Sequence, residues 1–299
     1  MEITEKEQVP PVFERLRTGV VDGWWTVFRM LKFVLPLYII VDLSKSSGLI
    51  DSLGSWCAPF MGLFGLPGET AFAFIAAALI NLYAAIAVLA PLDLTPWQVT
   101  QCGVMMGISH NLVLEGGRFE QYRGTWWHPH PLPHFARCDC RLADDGPAMV
   151  GSGRMTALLD TTLGGLILCG KLVLIVVPLV TIFKVLRHVR IFQSIGSRTE
   201  PVMRCFGLGR SAVLPLFTGI FLGIAYGAGI IIRSAATGQM DRRELFLTGL
   251  FLATCHAVIE DVLIFVVLGG DGVVMLGLRL LLAIILTVLL ARLWPRNTI

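Results

Sequence analysis

The sequence predicts an all-α integral membrane protein that crosses the bilayer several times and consists of two inverted copies of one helical unit. Of its 299 residues, 55% are hydrophobic and only 15% are charged, and the mean hydropathy is +0.73. A soluble domain carries about 25% charged residues. Apolar segments recur along the whole chain, and one pattern of prolines, glycines and helix starts occurs twice. Composition therefore excludes an ordinary soluble domain.

Seven apolar segments come near or reach the about 20 residues that a spanning helix needs. Two Gly- and Ser-containing stretches, 44–66 and 186–208, follow the first segment of each half and are too polar for a comfortable crossing. In 44–66, apolar residues recur at three- and four-residue steps, which is typical of an amphipathic helix at the membrane surface. We therefore expect about seven transmembrane helices with additional interfacial or re-entrant helices. The predicted spans are 24–41, 70–92, 96–114, 155–185, 211–232, 245–268 and 273–290.

The two halves of the chain share the residues that shape the backbone. A shift of 142 residues superposes Pro36 on Pro178 and the Phe-Gly-Leu run 64–66 on 206–208 without a gap. After a four-residue insertion, a shift of 146 superposes two helix-start patterns, a Thr-x-x-Gln capping box at Thr95 and an Asp-x-x-Glu box at Asp241. Because prolines and glycines restrict backbone geometry, the shared spacing predicts a shared shape.

Three predicted spans per unit, an odd number, would make the second unit enter the bilayer from the opposite side. Loop charge agrees, because 42–68 has a net charge of −1 and its counterpart 184–210 has +5. Lys- and Arg-rich loops stay in the cytoplasm, so we expect the N-terminus there too. The basic Arg242-Arg243 loop and the C-terminal Arg292 and Arg296 oppose this assignment. The predicted organisation is an N-terminal cytoplasmic or amphipathic segment, a first repeat, a polar loop and a second repeat with an extra C-terminal helix, at 1–23, 24–117, 118–153 and 154–299.

Several polar residues lie within the apolar segments, where such groups are costly and indicate function. His110 and His256 each lie fifteen residues after a repeated helix start, about 22 Å along a helix and deep in a core of about 30 Å. On an unbroken helix His256 and Glu260 would share a face. We expect either a polar-solute, ion or proton site between the repeats, or a structural pair that pins the helices. The candidates are Asn81, Tyr83, His110, Glu115, His256, Glu260 and Asp261.

A second group of candidates lies in the Pro-rich string WWHPHPLPHFARCDC. Its histidines and cysteines are metal-ligand types, but their spacing fits no standard zinc signature. Metal binding and a loop with incidental histidines both stay open, and no other cofactor is expected. The potential ligands are His128, His130, His134, Cys138 and Cys140.

The sequence lacks a Gly-x-Ser-x-Gly elbow, a phosphate-binding Gly-Lys-Ser/Thr loop and a dinucleotide fingerprint. We therefore expect no enzymatic activity. Because the net charge of +3 is small and clustered in loops, we expect no nucleic-acid partner.

The string FGLPGETAFAFIAAALINLYAAIAVL, followed by LTPWQ and GISHNLVLEGG, resembles the Gate or nucleoside-recognition family. This family includes spore maturation proteins A and B and membrane modules of ferrous iron transporter B and concentrative nucleoside transporters. The resemblance is strongest over 36–117 and recurs more weakly in CFGLGRSAV and ATCHAVIED, although Gly209-Arg210 stands where the first copy has Pro67-Gly68. It implies gate-like units along a transport pathway, and it marks Asn81, His110, Glu115, His256 and Glu260 as family positions.

These observations favour a transporter or permease-like protein of the bacterial inner membrane that moves a small polar solute or ion, nucleoside-type or similar. One alternative is a non-transporting component of envelope or spore-maturation-type assembly. Another is permeation of a divalent metal such as ferrous iron. The expected partners are the lipid bilayer, the solute or ion, and either a second copy of the chain or a second membrane protein.

Overall fold

A computed structural model describes residues 11–110, 152–186, 199, 203 and 206–294, and all regular secondary structure in these residues is helical. The predicted all-α class is therefore confirmed. Single 3-10 turns lie at Gly62–Phe64 and Arg210–Ala212. The helices are α1 Val12–Ser46, α2 Leu49–Met61, α3 Thr70–Leu79, α4 Leu82–Leu89, α5 Pro96–Ser109, α6 Ser152–Leu186, α7 Val213–Leu222, α8 Ile224–Ala236, α9 Arg242–Thr254, α10 Val258–Val266 and α11 Gly272–Leu293.

The two longest helices, α1 and α6, pack side by side in opposite directions. A Cβ added to Gly19 would lie 3.0 Å from Thr181 Cα, and one added to Gly23 would lie 3.1 Å from Val177 Cα. Residue numbers thus rise along α1 as they fall along α6. Small residues let the two backbones approach closely, as is usual between membrane helices. The helices that carry the repeat-related Pro36 and Pro178 are therefore antiparallel.

A second repeat-related pair, α5 and α9, also runs antiparallel, as their contacts with α11 show. The Asp271 N–H donates to Thr100 Oγ1 over 2.8 Å, and Arg279, farther along α11, donates to Gly107 O over 2.7 Å. Helices α5 and α11 are therefore parallel. Arg243, at the start of α9, donates to carbonyls at the end of α11, so α9 and α11 are antiparallel. Two pairs of equivalent helices thus support the inverted repeat.

The predicted spans 70–92 and 211–232 are not single crossing helices. The first consists of α3 and α4, which fold back and pack against each other, and the second consists of α7 and α8 in the same arrangement. A Cβ added to Gly227 would lie 2.9 Å from Gly219 Cα, although the two residues flank the turn between α7 and α8. Both segments are helical hairpins. Counting three crossings per unit was therefore wrong, and the inversion rests on the antiparallel pairs instead.

The tips of the hairpins occupy equivalent positions in the two repeats. Asn81 forms the first tip with extended backbone, φ −179°. Gly223 forms the second tip at φ 83°, a left-handed region that favours glycine. The 142-residue shift superposes the two tip residues, so the repeat extends to the places where the helices break.

The predicted span 245–268 is also interrupted. Helix α9 ends at Thr254, α10 begins at Val258, and Ala257 between them adopts φ 44°. His256 therefore lies in the break, so the unbroken helix on which His256 and Glu260 would share a face does not form. His110 lies just past the end of α5, where it is the C-cap residue.

The first repeated helix start forms its full capping box as predicted, and the second forms the N-cap half of its box. Thr95 Oγ1 accepts from the Gln98 N–H and the Gln98 side chain accepts from the Thr95 N–H, which completes the first capping box, with Pro96 at the first helical position. Asp241 Oδ1 accepts from the Glu244 N–H over 2.6 Å at the start of α9. These side chains satisfy N–H groups that the first turn leaves without helical partners.

Helix α2 is the predicted amphipathic helix. Ile50, Gly54 and Met61 are buried, whereas Trp56 is 87% and Phe60 is 65% exposed. An exposed aromatic face of this kind suits the membrane surface. Of the second polar stretch, 186–208, most lies outside the described residues.

Three helical stretches among the described residues are long and apolar enough to cross a membrane, namely Thr156–Val185, Arg242–Val266 and Gly272–Leu293. The expected number of about seven also included 24–41 in α1, which is not one of these three stretches, the two hairpins, and the segment 96–114, which the structure describes only to residue 110. Helix α1 runs without interruption through residues 23 and 24, where the sequence interpretation placed a boundary.

Candidate functional site

The two repeat-related histidines lie against each other. Their ring centroids are 5.3 Å apart with an interplanar angle of 37°, and the exposed fractions of His110 and His256 are 7% and 2%. Each ring is held by the same bond. Nδ1 of His110 lies 2.8 Å from Met106 O, and Nδ1 of His256 lies 2.6 Å from Leu252 O. The inverted repeats therefore deliver equivalent rings, in equivalent orientations, to one place.

The chemistry of each ring follows from this bond. A carbonyl oxygen can only accept a hydrogen bond, so Nδ1 carries the proton and its N–H donates to that oxygen. In a neutral imidazole the other nitrogen, Nε2, is then the acceptor. Two neutral rings can also lie side by side without like-charge repulsion. The pair can accept hydrogen bonds from a polar solute or ligate a metal ion.

The first hairpin reaches this pair through its tip. Asn81 Oδ1 accepts from the Ala84 N–H over 2.9 Å and so caps α4. Two residues later the Tyr83 hydroxyl donates to the Glu260 carboxylate of α10. Tyr83 is 9% exposed and Glu260 is half-buried. The tyrosine and acid candidates thus form one link between the repeats, while Asn81 shapes the tip that positions it.

The second hairpin contacts the break between α9 and α10. The Ala257 N–H, which the break leaves without a helical partner, donates to Gly219 O of α7 over 3.1 Å. A Cβ added to the tip residue Gly223 would lie 3.5 Å from Ala257 Cβ. Both hairpins therefore converge on the region around His256.

The site also contains an ion pair between Asp261, which the sequence analysis predicted as a site residue, and Arg279, which it did not. Arg279 Nη1 donates to Asp261 Oδ2 over 2.9 Å, and the side chains are 1% and 8% exposed. Arg279 Nη2 donates to Gly107 O over 2.7 Å and to His256 O over 3.2 Å. A Cβ added to Gly107 would lie 2.7 Å from Arg279 Cζ, so glycine leaves the room that the guanidinium occupies.

Arg279 is positioned to stabilise both interrupted helices. Gly107 lies in the last turn of α5, and His256 follows the end of α9. Helix C-termini carry carbonyls without helical partners and partial negative charge. One guanidinium therefore satisfies both ends while Asp261 balances its charge. Sequence reasoning overlooked Arg279, although it is the single charge in the apolar run 272–291 and could have been noticed on that ground.

Most of the predicted solute- or ion-binding residues lie together in one cluster. Asn81 forms the tip of the first hairpin, and the other predicted site residues belong to parts of the chain that the structure does not describe. The cluster, together with Arg279, is hereafter the histidine site. Glu115 and the candidate metal loop, His128, His130, His134, Cys138 and Cys140, lie outside the described residues. The members of the histidine site are Tyr83, His110, His256, Glu260, Asp261 and Arg279.

A metal ion would find three ligand types in this site. One ligand atom each from His110, His256 and Asp261 lies within 4.8 Å of the other two. However, Asp261 is already paired with the Arg279 guanidinium. A divalent cation at this carboxylate would lie beside a fixed positive charge, so the donor set suits a neutral polar group better than a dication.

Residues 169–271 match the Gate family model, described as nucleoside recognition. This Gate segment holds the second hairpin, the broken α9–α10 unit, His256, Glu260 and Asp261. The resemblance found in the sequence is thus confirmed. The match covers the second half of the chain, where the sequence patterns were weaker than in 36–117.

Similarity over nearly the whole chain extends to a bacterial protein. The chain is 29% identical to uncharacterized membrane protein YvoD of Bacillus subtilis (strain 168) over 93% of this chain and 94% of that one. It is 37% identical to inner membrane protein YjiG of Escherichia coli (strain K12) over 30% of this chain and 61% of that one. No solved structure matches. The chain is therefore similar to bacterial membrane proteins, and its residues 169–271 match the Gate model.

Proposed function

We propose that this protein is a permease of the bacterial cytoplasmic membrane that moves a small polar solute through the histidine site by rocking of its inverted units. The observation that carries the proposal is the convergence of both repeats. Each contributes an interrupted helix end with a buried histidine. Each also contributes a hairpin: the first bonds to α10 of the second repeat, and the second bonds to the α9–α10 break of its own repeat.

The backbone of this site suits a transport pathway. Irregular backbone at membrane depth is tolerated only where it is buried in protein or lines an aqueous cavity. Inverted-repeat transporters use such breaks near the midplane to bind their substrates. Here the interruptions at Asn81, Gly223 and Cys255–Ala257 all belong to elements that meet at the histidine site.

The side chains favour an uncharged or zwitterionic solute with several hydrogen-bonding groups. Asp261 and Arg279 balance each other, so binding such a solute leaves the charge of the site unchanged. The imidazoles offer acceptors, and the Tyr83–Glu260 pair offers a hydroxyl and a carboxylate. A nucleoside-type molecule, which carries donors and acceptors on its base and its sugar, fits this inventory.

The arrangement described here is closed, because both histidines are at most 7% exposed. A solute would gain access when the hairpins move away from α10 and from the α9–α10 break. That movement breaks the hydrogen bonds Tyr83–Glu260 and Ala257–Gly219. Breaking a neutral hydrogen bond costs a net of about 0.5–1.5 kcal/mol, and breaking one to a carboxylate costs somewhat more. Both bonds are therefore weak enough to break when the site opens.

Permeation of a divalent metal is the second candidate, favoured by the three ligand atoms within 4.8 Å. The guanidinium at Asp261 opposes it for the reason given above. The same transport experiment distinguishes the two candidates.

Uptake into proteoliposomes tests the function. We expect the purified protein to take up at least one member of a panel of nucleosides and related polar solutes, in preference to Fe²⁺ or Zn²⁺. His110→Ala and His256→Ala should each lower this uptake about tenfold, as expected when about 1.4 kcal/mol of binding is lost. Val273→Ala, at a position 83% exposed, is the matched control. Unchanged uptake in both histidine variants would refute the site, and absence of any flux would refute the function.

We further propose that the N-terminus and the basic segment 184–210 face the cytoplasm. Arg243 belongs to the loop whose charge opposes this orientation, but it is buried and donates to Trp294 O, Gly207 O and Ala291 O. It therefore holds the end of α11 and adds little to the loop charge that sets topology. A reporter fused after Arg198 should read as cytoplasmic. An external signal from that fusion would reverse the orientation.

A further inference from the structure

Three exposed basic side chains lie near the middle of the α1–α6 pair. Arg29 and Lys32 of α1 and Lys171 of α6 are all exposed. Among the residues that the structure describes, none of the three forms a salt bridge with a carboxylate. The Lys32 Nζ lies 4.8 Å from the centroid of the Phe33 ring. We call Arg29, Lys32 and Lys171 the basic patch.

Helix α6 contains Thr156–Val185, which is long and apolar enough to cross a membrane, and α1 packs along it. This packing places the patch near the middle of the bilayer. The contacts Gly23–Val177 and Gly165–Leu35 lie on either side of a midpoint at Arg29 and Lys171. Those two residues are also superposed by the 142-residue repeat shift. The axis that relates inverted repeats lies in the membrane plane, so residues beside it lie near the midplane.

Polar contacts toward both ends of the pair agree with this depth. Lys184 pairs with Asp22 toward one end, and Thr161 donates to Asp42 toward the other. Asp22 and Asp42 are twenty residues apart on α1, which corresponds to about 30 Å of helix and to the thickness of the hydrocarbon core. The basic patch lies between them.

An uncompensated basic side chain at this depth is costly. Insertion scales give about 2.5–3.5 kcal/mol for Arg or Lys at a helix centre. The polar headgroups begin about 15 Å from the midplane, which is too far for these side chains to reach. A carboxylate at the same depth would remove the cost.

We propose that the basic patch binds a spanning helix of a different membrane protein that carries an Asp or Glu at mid-depth. A second copy of this chain is a poor occupant. Two copies with the same orientation in the membrane would place their basic patches at the same depth, so like charges would face each other. Large apolar side chains around the patch would pack against the partner helix. They include Trp25, Phe28 and Phe33 of α1 and Ile167 and Leu174 of α6, which are 52–76% exposed.

The test uses the full chain in liposomes with a defined probe. A donor dye on the protein and an acceptor dye on a synthetic Leu/Ala spanning peptide report their association by energy transfer. We expect a peptide with a central Glu to associate about tenfold more tightly than one with Gln. The double variant Arg29→Gln/Lys171→Gln should lose this preference. Arg242→Gln, at an exposed position on α9, should keep it.

Equal association of the Glu and Gln peptides would overturn the proposal. This result is also expected if carboxylates of the same chain already neutralise the patch. Energy transfer between two labelled copies that Arg29→Gln/Lys171→Gln abolishes would make the patch a self-interface, and would also overturn it. Loss of the preference in phosphatidylglycerol vesicles would mean that anionic headgroups do reach the patch, and would also overturn the proposal. Melting temperatures of the variants, compared with wild type, establish that they fold. The inference does not depend on solute transport, so the uptake experiment and this one can fail separately.

Discussion

Replacing Arg279 by methionine is expected to lower the free energy of unfolding by about 3–5 kcal/mol, the cost of leaving one member of a buried ion pair alone. The change removes the partner of Asp261 and the donor for two carbonyls at the ends of α5 and α9. For a chain of this length the melting temperature should fall by about 10 °C. A thermal-unfolding measurement of the purified protein in detergent checks this.

A second variant separates charge from packing. Asp261→Asn combined with Arg279→Met removes both charges, so it should recover part of the lost stability. Arg292→Met, at an exposed position near the end of the same helix, should leave the melting temperature nearly unchanged. If Arg279→Met melted at the wild-type temperature, the guanidinium would not hold the interrupted helices together.

Replacing Gly68 by alanine is expected to destabilise the entry to the first hairpin by about 1–3 kcal/mol or more, because the new methyl overpacks the site. The added Cβ would lie 2.0 Å from Gly54 O and 2.7 Å from Gly54 C. Both are backbone atoms, so no side-chain rotation can relieve the collision. The α2 helix would have to move away from the turn before α3. Thermal unfolding in detergent and the yield of folded protein measure the effect.

Gly62→Ala is the control for this prediction. Gly62 is exposed, and a Cβ added there meets no atom within 4 Å. Its φ of −61° suits any residue, so alanine should leave the melting temperature nearly unchanged. Equal melting temperatures for Gly68→Ala and Gly62→Ala would show that the close approach of α2 is not needed.

The sequence predicted those features that local residues determine. The capping residues Thr95 and Asp241 bind backbone atoms three residues away, so their pattern is visible in a short string. The repeat spacing also indicated that His110 and His256 belong to one site, because each histidine lies fifteen residues after a recognisable helix start. The resemblance to the Gate family was also visible in the sequence, because it is carried by continuous strings.

The hairpins and the arginine were missed for physical reasons. A continuous apolar run has the same composition whether it crosses the bilayer or folds back at Asn81 or Gly223. Arg279 binds Gly107 O, which is 172 residues away, and no local pattern reports such a contact. Contacts between distant parts of the chain determine both features, so composition and periodicity could not predict them.

Arg279 also breaks the symmetry of the molecule. Under the 146-residue shift it falls on Pro133, and the stretch 126–147 that matches α11 is polar and Pro-rich instead of apolar. In a pair of identical inverted units, the inward-open and outward-open forms would have equal energy by symmetry. Here one residue from one copy satisfies the helix ends of both copies. In a permease of this kind, the extra helix would therefore set the resting preference between the two sides of the membrane.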